Sequence, residues 1–274
     1  MQVDGWKYYN HAAIPTTAPH VMPNLKPVKD GSIWKIGGGT TLIARWPSDW
    51  DCGHETEWWY CIKDAPFDMS LLKSKRRYEI NKGKKYFNVN RINPLIYKEE
   101  LYRVTIAAYY GWPEKYRPKV YREAFYQQVE EWGKYDVFGG FGSETGELNG
   151  FALLIDYGSY VEFSVLRTEP KTEKMAINAA MVAGVLENYK DRFDGSFYIN
   201  DGSRAIRHET AFQDYLEKYF GFRKSFCRLN VAYRRSFGII VKLLYPLRKH
   251  IKAESGIGSQ IAGILKMEEI CRSF

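Results

Sequence analysis

The chain has 274 residues, of which 45% are hydrophobic and 26% charged. This length and composition are typical of a globular protein with a sizeable core, and they exclude wholesale disorder and low-complexity sequence. Four cysteines without a C-x-x-C pair exclude a disulfide scaffold and a zinc knuckle. The N-terminus lacks the basic and apolar regions of a signal peptide, and no apolar run reaches the roughly 20 residues of a membrane span. We therefore expect a cytoplasmic protein, either free or at the inner membrane surface.

The first third of the chain mixes irregular sequence with strands. Residues 1–40 are rich in Pro, Gly and aromatic residues without a clean period, which predicts an irregular arm. The runs TLIARW (41–46) and EWWYCIKD (57–64) have the aromatic and branched residues of strands. A basic helix is predicted over Met69–Gly83, ended by its glycine, and KYFNVNRI (85–92) alternates as a strand does.

The sequence after residue 96 predicts a series of helices and strands. Turn residues and periodicity predict helices at 97–110 and 119–132, strands at Val137–Phe141, Leu148–Asp156 and Tyr160–Arg167, a helix at Thr172–Tyr189, a strand at SFYIN (196–200), a helix from Thr210 to Gly221, a strand at Ser225–Tyr233 and a C-terminal helix. Thr210 and Gln213 have the spacing of a helix capping box.

The net charge of +8 is concentrated in two segments. Lys73–Lys98 carries nine basic residues and a single acid, Glu79, and Arg223–Lys252 carries nine basic residues and no acid. Such segments attract phosphates, so the candidate partners are a nucleotide, RNA, a phosphorylated sugar carrier and an anionic lipid surface. The alternative is a solvated face that keeps the protein soluble.

From residue 85 the predicted order is strand, two helices, three strands, helix, strand, helix, strand. This order resembles the GNAT superfamily, and QDYLEKYFGFRKSFCRL resembles its late helix, glycine turn and last strands. The segment LLKSKRRYEINKGKKYFNV resembles the basic helix of the FemAB-like branch, whose members transfer amino acids from aminoacyl-tRNA to cell-wall precursors. The resemblance implies an α+β fold with a mixed, mostly antiparallel sheet flanked by helices. We expect an N-terminal part (1–84), a GNAT-like domain (85–250) and a C-terminal helix or tail (251–274).

The resemblance implies an acyl donor held where the fourth and fifth strands of the domain part. Donor contacts are expected from Arg167, Lys174, Asn178 and Arg204. The family's glycine-containing pyrophosphate loop corresponds here to RTEPKTEKMAINAAM (167–181), which has no glycine. An acyl-CoA such as acetyl-CoA is one implied donor and aminoacyl-tRNA is the other. The family's general-acid tyrosine corresponds in position to Glu217, and Tyr215 is one of the two nearest tyrosines.

The loop Asp201–Glu209 follows a predicted strand and precedes a helix, where open α/β sheets bind ligands. Acyl transfer to an amine needs a base, which we expect to be Glu209 or His208. Arg204 and Arg207 are placed to hold a phosphate, and Asp201 to contact substrate. The alternative is a local turn with solvated arginines.

A second candidate site is the carboxylate-rich run DWDCGHETE (49–57). Its Asp51, His54 and Glu57, with Trp59 after them, suit an acceptor with sugar hydroxyls or an ammonium. The spacing matches no dedicated metal pattern, so we expect no metal. The alternative is an edge strand with a polar loop. Lys75 and Arg76, in the basic helix, are expected to bind a donor or acceptor phosphate.

Two functions remain open at this stage. The first is an N-acyltransferase that passes an acyl or aminoacyl group to an amine on an amino sugar or a lipid-linked cell-envelope precursor, with tRNA as a further partner. The second is an inactive GNAT-fold module that binds RNA or another anionic partner.

Overall fold

The computed structural model describes residues 3–206, 211–251 and 256–274, which divide into two compact units. The first unit comprises Met1–Cys61, Ser203–Thr210 and Lys224–Phe274, and the second comprises Ile62–Gly202 and Ala211–Arg223. The second unit is therefore inserted, in chain order, between segments of the first.

The strands, in chain order, are β1 (Trp6–Tyr9), β2 (Ala12–Pro15), β3 (Ile43–Ser48), β4 (Trp58–Lys63), β5 (Phe87–Ile92), β6 (Asp136–Gly142), β7 (Leu148–Asp156), β8 (Tyr160–Thr168), β9 (Tyr198–Ser203) and β10 (Arg223–Tyr233). The α-helices are α1 (Lys26–Lys29), α2 (Ser74–Tyr86), α3 (Lys98–Tyr110), α4 (Arg122–Trp132), α5 (Ile177–Asn188), α6 (Ala211–Phe220), α7 (Arg235–Leu244) and α8 (Gly256–Arg272). Short 3-10 helices cover Ser32–Gly39, Met69–Leu71, Glu114–Tyr116, Pro170–Met175, Lys190–Arg192 and Tyr245–His250.

The sheet of the first unit is built from distant parts of the chain. β1 and β2 form an antiparallel hairpin, β2 runs parallel to β3, and β3 pairs antiparallel with β10. One core cluster joins side chains of β3 and β10 to Met267 and Ile270 of α8. A second cluster places Trp6 and Ala13 of the hairpin against Ile33 and Ile36.

The second unit is a meander with one parallel addition. β5, β6, β7 and β8 pair antiparallel in chain order, and β9 pairs parallel with β8. Residues of α3 and α4 pack against β6 and β7 in one core cluster. Helix α5 is apolar around most of its circumference and largely buried, as expected of a helix enclosed by other elements.

Helices α2 and α5 approach closely because α2 has a glycine at the contact. A Cβ atom at Gly83 would lie 2.5 Å from the carbonyl oxygen of Ala176 and 3.0 Å from the amide nitrogen of Ala180. The prediction that Gly83 ends the basic helix is therefore wrong. The helix begins at Ser74 and continues to Tyr86, and Gly83 serves the packing of the two helices.

Two further predictions are corrected by backbone geometry. The arm predicted as irregular contains the β1–β2 hairpin, whose turn uses positive φ angles at Asn10 and His11. Alternation is hard to recognise in such short strands. The helix predicted over Thr172–Tyr189 is split, because Ala176 adopts the left-handed conformation (φ 62°) between a 3-10 turn and α5.

The α+β class with a mixed, mostly antiparallel sheet is confirmed. The remaining predicted strands and helices agree with the structure to within a few residues, and the C-terminal helix is α8. The start of the helix predicted at Thr210 lies outside the described residues. The division into residues 1–84, 85–250 and 251–274 stays a prediction, and residue 84 falls inside α2.

Candidate active site

The second unit contains a gap between two neighbouring parallel strands. β8 and β9 pair at Tyr160 with Tyr198, Val161 with Ile199, and Glu162 with Asn200. β8 then continues to Thr168, although its register with β9 stops at Glu162. The strands therefore pair at their beginnings and part towards their carboxyl ends, as expected from the sequence.

A pocket of about 490 Å³ lies where the strands part. We call it the β8–β9 pocket; it is lined by Phe163, Ser164, Val165 and Leu166 of β8, Asn178 of α5, Asp201 of β9, and Ala211, Phe212 and Tyr215 of α6. Its wall is mainly apolar, with a few polar groups from three different elements. This combination is typical of a ligand-binding pocket.

Asp201 supplies the one carboxyl group among the residues that line the pocket. Burial raises the pKa of Asp201 to about 7, with a smaller increase from the negative charge of Glu162, and a hydrogen bond with the Gln213 side chain opposes the shift. The Gln213 amide also donates to the carbonyl oxygen of Asp201, with an N–O distance of 3.2 Å. This carboxyl group can therefore take up and release a proton near neutral pH.

Tyr215 supplies a hydroxyl group to the same pocket. Burial raises the pKa of Tyr215, with Glu79 adding to the shift and Arg76 opposing it, so the hydroxyl stays protonated at neutral pH. The Tyr215 ring packs edge-on against Tyr219, with 5.2 Å between ring centroids. Arg76 lies 3.4 Å above the Tyr219 ring, donates to its hydroxyl and pairs with Glu79 at 2.7 Å.

The residues expected to bind the donor fall in different surroundings. Asn178 lines the β8–β9 pocket and accepts a hydrogen bond from the Thr168 hydroxyl at 2.9 Å. Lys174 is exposed in the 3-10 turn before α5. Arg167 lines another pocket, between α3, α4 and β8, where it donates to the Tyr109 hydroxyl at 2.6 Å.

The start of α5 does not fit the pyrophosphate of coenzyme A in the way a glycine loop would. The segment before α5 has no glycine, and the left-handed position is taken by Ala176. The backbone of Ala176 and Ala180 is also in close contact with Gly83 of α2. Pyrophosphate sites at helix N-termini need backbone N–H groups that the ligand can approach. The segment before α5 offers neither a glycine nor backbone N–H groups that a pyrophosphate could approach in this way.

The loop after β9 is divided between the two units. Asp201 belongs to the second unit, whereas Arg204 belongs to the first, where it donates to the carbonyl oxygen of Glu57 at 2.7 Å and to its carboxylate at 3.1 Å. Arg207, His208 and Glu209 lie outside the described residues. The assignment of His208 or Glu209 as base stays a prediction.

The carboxylate-rich loop of the first unit is solvent-exposed. Asp51, His54 and Glu57 are all exposed. The His54 ring lies 3.2 Å from the carbonyl oxygen of Cys52. Trp59 carries the Lys224 ammonium group over its ring at 4.7 Å. Across 3–206, 211–251 and 256–274, no three His, Cys, Asp or Glu side chains are grouped so that they could hold a metal ion.

The structure thus brings Asn178, Asp201 and Tyr215 together around one pocket and places Arg76 behind Tyr215. Lys75 lies exposed on α2, one residue from Arg76. The pocket residues missed from the sequence are Phe163, Ser164, Val165, Leu166, Ala211 and Phe212. The β8 residues were predicted as a strand, but nothing in their pattern marks them as a ligand wall.

No protein-family model and no curated protein matches the sequence. Solved structures are similar over most of the chain. L-PGS from Bacillus licheniformis superposes with a TM-score of 0.54 at 14% identity, covering 89% of this chain and 84% of that one. FemX gives a TM-score of 0.53 at 9% identity over 87% and 85% of the two chains.

A third structure is the C-terminal DUF2156 domain of an Agrobacterium fabrum protein assigned to the lysylphosphatidylglycerol synthetases. Its TM-score is 0.51 at 9% identity, over 86% of this chain and 82% of that one. The GNAT-like fold expected from the resemblance is confirmed. At these identities the likeness concerns the fold alone. In the part of the chain that the structure describes, no helix has the length and apolar character needed to span a bilayer.

Proposed function

We propose that this GNAT-fold protein is an acyltransferase whose reaction takes place in the β8–β9 pocket. The observation that carries the proposal is the parting of β8 and β9 over a pocket of about 490 Å³ that contains a carboxyl group with a pKa of about 7. An apolar pocket with few polar groups suits an acyl or aminoacyl chain. The carboxyl group suits the proton transfer that an amine acceptor requires.

Asp201 and Tyr215 divide the two proton transfers of such a reaction. The Asp201 carboxylate takes a proton from the acceptor ammonium, and the free amine forms a C–N bond with the donor carbonyl carbon. The C–O bond of the donor ester then breaks, and its oxygen takes a proton from the Tyr215 hydroxyl. The nitrogen of the new C–N bond gives up its extra proton to the tyrosinate, which leaves a neutral amide and restores Tyr215. Burial suits both roles, because it makes the Asp201 carboxylate a stronger base by bringing its pKa near 7, and it keeps the Tyr215 hydroxyl protonated.

The donor proposed is an aminoacyl-tRNA rather than an acyl-CoA. The start of α5 does not fit a pyrophosphate, as described above. The basic helix α2 supplies charge that suits an RNA backbone, because Lys75, Lys84 and Lys85 are exposed on it and its one acid, Glu79, is paired with Arg76.

The acceptor proposed is an amine on an amino sugar or on a lipid-linked cell-envelope precursor. The exposed Asp51, His54 and Glu57, with the Trp59 ring, have the chemistry to contact sugar hydroxyls or an ammonium.

The test is a transfer assay with both donor classes and a panel of amines. The protein is incubated with labelled acetyl-CoA or with labelled aminoacyl-tRNA, and transfer is measured for the wild type, Asp201→Asn and the matched control Asp214→Asn, an exposed aspartate on α6. We expect transfer from aminoacyl-tRNA, its loss in Asp201→Asn and no change in Asp214→Asn. Transfer from acetyl-CoA alone would contradict the donor, and full activity of Asp201→Asn would contradict the site.

The same assay tests the predicted bases outside the described residues. If His208→Ala or Glu209→Gln abolishes transfer and Asp201→Asn does not, the base lies in the loop and not in the pocket. If no donor supports transfer but RNA binds in a salt-sensitive manner, the chain is a binding module that keeps the fold without the reaction.

A further inference from the structure

The first unit exposes an apolar stripe on a basic helix. One side of α7 is anchored, since Val241 is buried and Phe237 packs with Tyr233 in a core cluster. The other side carries large aliphatic residues that solvent reaches. Their exposed fractions are 55% for Ile239, 50% for Ile240, 70% for Leu243 and, in the 3-10 turn after the helix, 54% for Leu247. Contiguous apolar exposure of this kind marks an interaction surface.

Positive charge flanks this stripe. Arg235 and Lys242 are exposed on α7, and Lys249 is exposed after it. The whole segment Arg223–Lys252 contains no Asp or Glu. The acids of α8 that face this region are already paired, because Glu269 binds Arg248 at 3.3 Å and Lys266 at 3.0 Å.

We propose that α7 and the turn after it dock on the surface of an anionic lipid bilayer. We call this region, formed by Ile239, Ile240, Leu243, Leu247 and the basic residues Arg235, Lys242 and Lys249, the α7 surface. Aliphatic side chains beside Lys and Arg are typical of helices that lie in the membrane interface. The aliphatic groups enter the boundary between headgroups and acyl chains, and the basic groups contact lipid phosphates.

Other partners fit the α7 surface less well. RNA is bound through basic groups and stacking aromatic rings, whereas the exposed groups between the cations here are branched aliphatic residues. A second copy of the same surface would bring like charges together. The helix has ten residues, about 15 Å at the usual rise, so it is long enough to lie on a bilayer and too short to cross one.

The test is co-sedimentation of the full chain with lipid vesicles. We compare vesicles of phosphatidylcholine alone with vesicles that also contain phosphatidylglycerol, at low and at high salt. We expect binding to the anionic vesicles that is weakened by salt. Ile239→Ser with Leu243→Ser should lower that binding about tenfold or more, because two aliphatic side chains would no longer be buried in the bilayer. Lys242→Glu with Lys249→Glu should weaken it in the same direction.

The matched control carries two serines at equally exposed apolar positions of the second unit. Leu71 and Ile96 are 83% and 71% exposed, so Leu71→Ser with Ile96→Ser removes similar apolar area without touching α7. Unfolding midpoints identify any variant that fails to fold. Equal loss in the control pair, equal binding to both vesicle types, or a dimer that dissociates in the α7 variant would each overturn the proposal. Because vesicle binding is measured without substrate, its failure would leave the proposed transfer reaction untouched.

Discussion

Two of the candidate sites contain carboxylates, and these carboxylates differ in their contact with water. The loop 49–57 of the first unit places Asp51 and Glu57 in solvent, and Glu57 is engaged by Arg204. The β8–β9 pocket of the second unit has one carboxyl group, from Asp201, and burial raises the pKa of that group to about 7. The loop contains four acids in nine residues, but the one carboxyl group of the pocket is better suited to proton transfer. Desolvation matters more here than the number of acids.

The sharpest way to break this comparison is to neutralise one acid in each region. Asp201→Asn should lower transfer by about 10²- to 10⁴-fold, since the amide cannot accept the proton. Asp51→Asn should leave the rate constant nearly unchanged and raise the acceptor KM. Single-turnover rates and acceptor KM values measure the two effects separately. A larger rate loss in Asp51→Asn would reverse the roles assigned to the two regions.

The second prediction concerns stability as a function of pH. Because the folded pKa of Asp201 is raised from 3.8 to about 7, the folded state binds more protons than the unfolded state between these values. The wild type therefore loses stability through this group as the pH rises from about 4 to about 7, by up to about 4 kcal/mol. Asp201→Asn should be the more stable protein at pH 8, with a smaller advantage at pH 5.

Denaturant unfolding at the two pH values measures this difference. Asp51→Asn, from the exposed loop, is measured alongside as the control variant. If Asp201→Asn gave the same stability change at both pH values, the carboxyl group would not be desolvated.

The third prediction tests the packing behind the pocket. Gly83→Ala places a Cβ atom 2.5 Å from the carbonyl oxygen of Ala176, so α2 and α5 must move apart. We expect a loss of about 1–3 kcal/mol in the free energy of unfolding, although alanine favours helices. Lys84→Ala, at the next and exposed position, should change that free energy by less than about 0.5 kcal/mol. Thermal unfolding of both variants decides, and a stabilised Gly83→Ala would contradict the close contact.

The smallest effect is expected in the exposed loop. Glu57→Gln removes the charge that faces Arg204 at 3.1 Å and Lys266 at 3.9 Å, in a group whose side chain is 52% exposed. Surface pairs of this kind contribute about 0–1 kcal/mol. We expect the free energy of unfolding to fall by less than about 1 kcal/mol, and we expect the decrease to be smaller at high salt. A loss of several kcal/mol would show that the Glu57 carboxylate stabilises the fold, which would contradict the description of this loop as solvated.

The sequence was sufficient for most of the second unit. Its strands β5–β8 follow one another as neighbours, so local alternation and turn residues predict both the elements and their order. The parting of β8 from β9 was expected from the resemblance to the GNAT fold. Asp201 and Tyr215 were named as site residues, but the raised pKa of Asp201 depends on burial, which no local pattern reveals.

The first unit was harder to predict because its partners are distant in the chain. Arg204 was expected to hold a donor phosphate because it lies in the loop after β9. In the structure it donates to Glu57, almost 150 residues earlier in the chain. The β1–β2 hairpin is short and aromatic, and its place beside β3 depends on a register that local sequence does not encode. Gly83 was taken for a helix end, because a glycine at a helix contact and a glycine at a terminus look alike in sequence.

The pairing of β3 with β10 has a consequence for biosynthesis. The Asn230 side chain donates to the Ser48 hydroxyl across 182 residues of chain, so this edge of β3 stays unpaired until β10 has left the ribosome. The strands β5–β8 need no such delay, since each meets its neighbour as soon as both have emerged. In nascent chains that stop before residue 223, we therefore expect β5–β8 to resist proteolysis and β3 to remain accessible to proteases or to chaperones.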